Sequence, residues 1–172
     1  ESKLEDLAVD LATKASGLAS QLPPTVRLGV GDLVRSMNCY YSNLIEGHDT
    51  HPRDIDRALA RSDYSADSEK RALQMEAVAH IEVQRLIDRR EDLQAEPTST
   101  EYITWLHREF CRRLPGELLG VETPDSGERL PVVAGALRRG WVQVGRHIPP
   151  SADELPRFLK RLADAYEMQK LS

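Results

Sequence analysis

"LVRSMNCYYSNLIEGH", residues 33–48, decides how the chain is read. Leu33, Val34, Met37, Tyr41, Leu44 and Ile45 recur at intervals of three and four. That is the spacing of one helix face, so a helix is expected over about residues 27–46. Gly47 stands where a left-handed helix cap belongs. The helix therefore ends on a carboxylate, Glu46. The macrodipole opposes an anion at that end by roughly 0.3–1 kcal/mol. Either Glu46 is a solvated surface group, or it faces a cation supplied from elsewhere.

Outward from this stretch the chain stays helical. Leu4, Leu7, Leu11, Ala15 and Leu18 predict an amphipathic helix over 3–21, ended by Pro23 and Pro24. Pro52 suits the first turn of a short helix over about 52–61. A long charged helix is expected over 66–94, with Leu73, Val83, Leu86 and Ile87 facing inward. Thr98 and Glu101 have capping-box spacing ahead of Ile103, Leu106, Phe110 and Leu114. From Leu114 to Pro150 there are six glycines and five prolines, so a loop region with at most one hairpin is expected. Ser151 and Glu154 then announce a last helix, which Pro156 allows only if it starts late or has a distorted first turn. The expected fold class is mainly α, a bundle of about six helices with one short β-hairpin. A loop region of this length rarely occurs in a compact domain without a use.

The 172 residues suffice for one domain with a core, and 40% hydrophobic against 30% charged residues fits a soluble, folded chain. A net charge of −5 argues against general nucleic-acid binding, which needs a basic surface. No apolar run reaches the roughly 20 residues of a membrane span, so no membrane partner is expected. Cys39 and Cys111 are far apart and read as reduced, buried thiols of a cytoplasmic protein. The chain begins at Glu1, so it reads as a processed product, a trimmed chain or a fragment.

Few residues offer chemistry. His107 and Cys111 share a helix face, but two ligands do not make a zinc site, and His107 reads as a hydrogen-bonded core residue. No metal is expected. His48 and His51 flank the Gly47 turn and read as exposed. No dinucleotide fingerprint, P-loop or nucleophile elbow is present. Two features remain. Ser42 and Glu46 are i and i+4 neighbours on one face. Residues 135–150, "GALRRGWVQVGRHIPP", could form a hairpin edge that pairs with an extended peptide.

Together and in this order, these features resemble the Fic protein family. Ser42 to Gly47 matches its inhibitory pattern Ser/Thr-x-x-x-Glu-Gly/Asn. Gly135, Arg138, Val142, Val144, Gly145, His147, Pro149 and Pro150 are similar to its flap, and "EYITWLHREF" to its Leu-His-Arg helix. The resemblance covers about residues 25–170. It implies an N-terminal helix at 1–24, an inhibitory-helix region at 25–65, and at 66–172 the N-terminal part of a Fic-like domain with the flap at 135–150. Fic enzymes transfer AMP from ATP, with Mg2+, to a hydroxyl side chain of a target protein. By resemblance, Arg138, Val142, Val144, Gly145 and His147 would contact that target. Ser42, Glu46 and Gly47 would be inhibitory, Glu46 pairing with an arginine that otherwise holds the γ-phosphate of ATP.

The family's catalytic motif, His-x-Phe-x-x-Gly-Asn-Gly-Arg-x-x-Arg, is not in this sequence. It would lie past Ser172, in a downstream catalytic segment, so this chain contributes no catalytic residue and binds no ATP or Mg2+ by itself. Two alternatives stay open. One is a non-catalytic helical module that holds a peptide along 135–150. The other is a Fic-like enzyme that removes AMP or transfers another phosphate group. The amphipathic first helix could also serve a homodimer.

Overall fold

Tyr102, Trp105 and Cys111 are all buried on one helix, and the larger part of the chain is organised around it. The structure is a computed structural model that describes residues 2–48, 50–61, 63–122, 127–143 and 145–167. Six α-helices are described: α1 (Ser2–Gln21), α2 (Pro24–Ile45), α3 (Pro52–Arg61), α4 (Ser68–Asp88), α5 (Thr100–Cys111) and α6 (Leu155–Ala165). One antiparallel hairpin joins β1 (Gly120–Glu122) to β2 (Arg129–Pro131), with Val121 opposite Leu130. Among the described residues the fold is mainly α with one two-stranded hairpin, as the sequence predicts. The chain divides into two compact units, Glu1–Pro52 and Arg53–Ser172.

In the first unit, α1 and α2 follow one another through Leu22 and Pro23 and do not pack along each other. The predicted amphipathic face of α1 is therefore uncovered: Leu4 is 75% exposed and Leu11 70%. On α2 the buried residues are Ser36 and Cys39. Burial pushes the Cys39 thiol up to about 11.

In the second unit, α4 packs on α5 and α5 on α6. Asp67 caps α4 by accepting from the Lys70 N–H at 2.9 Å. The helix stops at Asp88, six residues short of the predicted end, because Arg90 takes φ 58° and closes a Schellman turn: Arg90 N–H donates to Ile87 and Glu91 N–H to Leu86. Its buried positions are Gln74, Ala77, Ala79, Ile81 and Val83. Of the four expected inward residues only Val83 is buried, and Leu73, Leu86 and Ile87 are half-buried. Gln74 is a satisfied core amide, donating to the Asp54 carbonyl at 3.2 Å and accepting from the Ser65 N–H at 2.7 Å. It ties α3 and the 65 turn to α4.

The N-cap of α5 is Ser99, not Thr98: its hydroxyl accepts from the Tyr102 N–H at 3.1 Å. The Tyr102 hydroxyl donates to Asp92 at 2.7 Å; burial first, then this bond and the Asp92 charge, push it up to about 12. The Ser151–Glu154 capping box is present, on a 3-10 turn at Ala152–Glu154 that precedes α6. That late start puts Pro156 in the first turn of α6, where it needs no N–H donor.

The hairpin lies upstream of where the sequence placed it. The described residues of 135–150 form no strand, only a β-bridge residue at His147 after the turn at 145–146, and the pairing strands are 120–122 and 129–131. Two carbonyls of the segment, those of Gly140 and Pro150, accept from the Arg138 side chain, and Pro149 and Pro150 offer no N–H to a ladder.

Candidate functional site

Two groups of residues singled out in the sequence fall in different units. The first ends α2. Glu46 is the C-cap residue, with φ −78° and ψ 0°. The Gly47 N–H donates to Leu44 at 3.1 Å and the His48 N–H to Asn43 at 2.8 Å, with Gly47 at φ 83°. This is a Schellman motif, and it requires a residue that tolerates a left-handed backbone. Ser42 and Glu46 are brought together on the last turn, and both are exposed. Among the described residues neither side chain makes a hydrogen bond or an ion pair. His48 and His51 beside them are exposed. Thr50 is only 5% exposed, and its hydroxyl has no hydrogen-bond partner among the described residues.

The second group is the 135–150 segment. Arg138 is half-buried and turns inward, donating to the Gly140 carbonyl at 2.8 Å and to the Pro150 carbonyl. One guanidinium thus closes the segment into a loop, with its five-donor fork spanning two carbonyls. Within that loop Val142 is half-buried. Gly145 takes φ 57°, with its carbonyl accepting from the Gln143 amide at 2.7 Å, and His147 is exposed. Val144 lies outside the described residues. Trp141 is 55% and Ile148 65% exposed, so the closed loop presents apolar side chains to solvent.

The loop is fastened to α5 by a contact that sequence reasoning missed. His107, half-buried, accepts the Gly135 N–H at its Nδ1 at 3.0 Å, and its Nε2 lies 3.4 Å from the Cys111 sulfur. Burial raises the Cys111 thiol. The sequence marked His107 as a bonded core histidine and Gly135 as the first residue of Gly-x-x-Arg, but no local signal joins residues 28 apart. Among the described residues no three His, Cys, Asp or Glu side chains converge as a metal site needs, and no helix is long and apolar enough to cross a membrane. Compared with family models, curated proteins and solved structures, the chain matches none.

Proposed function

We propose that this chain is the regulatory and target-binding part of a Fic-type protein adenylyltransferase. The observation that carries the reading is Glu46, an exposed residue on the last turn of α2 whose backbone a Schellman cap fixes, with Ser42 beside it. An anion at the helix end where the dipole opposes it gains from meeting a cation. A charge-assisted pair with an arginine contributes roughly 1.5–3 kcal/mol, more than the dipole penalty. In the reading drawn from the resemblance, that arginine belongs to the catalytic motif, and the pair withholds it from the nucleotide.

In this reading the chain's own residues hold neither ATP nor Mg2+. It has no glycine-rich phosphate loop, and no acidic cluster that would hold a cation is found among the described residues. Both would be held by the motif that this sequence lacks. The role of this chain is restraint through Glu46 and presentation of the target through the closed 138–150 loop. A second reading, a peptide-binding module without chemistry, is favoured by the exposed Trp141 and Ile148.

The test is AMP incorporation from labelled ATP by the complete protein and by its Glu46→Gly variant. A marked rise in the variant supports restraint. No incorporation by either, with peptide binding retained, supports the binding module.

A further inference from the structure

We infer that His107 is the positioning residue of the 135–150 segment, the imidazole on α5 that fixes where this loop stands. The inference rests on the reading of that loop as the target-binding element. Its geometry stands without it.

His107 lies one turn before the buried Cys111 on α5, whose Tyr102, Trp105 and Cys111 are each less than 10% exposed. The ring therefore starts from a rigid base. Its Nδ1 receives the Gly135 N–H at 3.0 Å, so Nδ1 carries the lone pair and the ring proton of the neutral imidazole is on Nε2. Nε2–H then points to the Cys111 sulfur, 3.4 Å away. Both nitrogens are engaged, and the ring cannot turn without losing one of them.

Gly135 is the counterpart of this anchor. It has φ 79°, and a Cβ added there would come within 2.9 Å of the Arg108 Cβ and 3.3 Å of the Thr104 carbonyl oxygen. The backbone thus lies directly on α5, closer than any other residue type permits. Three residues on, Arg138 binds the carbonyls of Gly140 and Pro150. Pro150 leads into the Ser151–Glu154 capping box and α6, which packs back on α5. The loop is held to α5 at its end through α6 and at its start through the His107–Gly135 bond. Strand addition needs the receiving backbone in register, so an element held at only one end would bind an extended peptide less well.

Two near-isosteric substitutions separate the ring's two nitrogens. In His107→Asn the amide oxygen can stand where Nδ1 stood; in His107→Gln the amide stands near Nε2 and the acceptor for Gly135 is gone. Amide hydrogen exchange of Gly135 in the 172-residue chain is expected to quicken at least tenfold in His107→Gln and to stay near wild type in His107→Asn, with the Trp105 amide as the control for global opening. Equal Gly135 exchange in wild type and His107→Gln would overturn the anchor. In the complete protein, the KM for the protein target is expected to rise in His107→Gln and recover in His107→Asn, with the KM for ATP unchanged. If Gly135 exchange changes as expected but the target KM does not move, the anchor stands and the loop is not the target-binding element.

Discussion

The backbone N–H of Glu46 donates to the carbonyl oxygen of Ser42 at 3.2 Å, which makes these two residues successive rungs of the last turn of α2. Their side chains share one exposed face. If Glu46 restrains a catalytic arginine, Glu46→Gly in the complete protein should raise AMP incorporation about 10- to 150-fold, the equivalent of losing roughly 1.5–3 kcal/mol of inhibition. Ser42→Ala should act in the same direction and more weakly, because a neutral hydrogen bond contributes about 1 kcal/mol. A flat series with intact folding would make Glu46 an ordinary surface charge.

Gly47 and Arg90 occupy the same position in two Schellman turns, at φ 83° and φ 58°. Gly47→Ala places a Cβ that meets nothing within 4 Å, so its cost is backbone strain alone, about 1 kcal/mol. Arg90→Gly removes the same strain, most of it offset by the entropy glycine adds to the unfolded chain, and should stabilise by at most about 0.5 kcal/mol. Denaturant midpoints should therefore move in opposite directions. A loss on Arg90→Gly would mean that the arginine side chain contributes more than its backbone costs.

The Thr50 hydroxyl is buried without a hydrogen-bond partner among the described residues. An unmet buried hydroxyl costs about 1–3 kcal/mol, and valine fills nearly the same shape. Thr50→Val should leave stability unchanged or raise it by about 1 kcal/mol, read from thermal unfolding. A clear fall would reveal that the hydroxyl is satisfied, by water or otherwise.

Burial on α4 lowers the His80 pKa below its ordinary 6.5, and its Nε2 lies 3.2 Å from the Gln84 amide nitrogen. Burial disfavours the charged ring, so the neutral imidazole is favoured in the fold. The unfolded chain then binds the proton more readily, so this group's contribution to stability rises with pH up to about 6.5 and is lost as pH falls below it. Between pH 7 and 5.5 the wild type should lose more stability than His80→Gln. Parallel curves would show that His80 protonates equally in both states.

Much of the fold is legible in the sequence because its causes are local. The leucine spacing of residues 4–18, Pro52 at a first helical turn, Gly47 after Ile45 and the Ser151–Glu154 box act over one or two turns, and each stands where it was expected. Local signals fail where a neighbour in sequence can substitute. Ser99, not Thr98, caps α5, and Arg90 stops α4 with a left-handed residue that no glycine announces.

The sequence by itself determined a mainly helical chain, the turn that exposes Ser42 and Glu46, and the loop region between α5 and α6. Only the tertiary structure decided which strands pair, that Arg138 closes its own loop and that His107 holds Gly135. Those outcomes depend on which donors and acceptors meet after distant segments pack, as Gly135 does on α5 and Pro150 on Arg138. Alternation and propensity describe what a segment can do alone. A buried carbonyl or ring nitrogen takes whichever partner the packed chain brings to it.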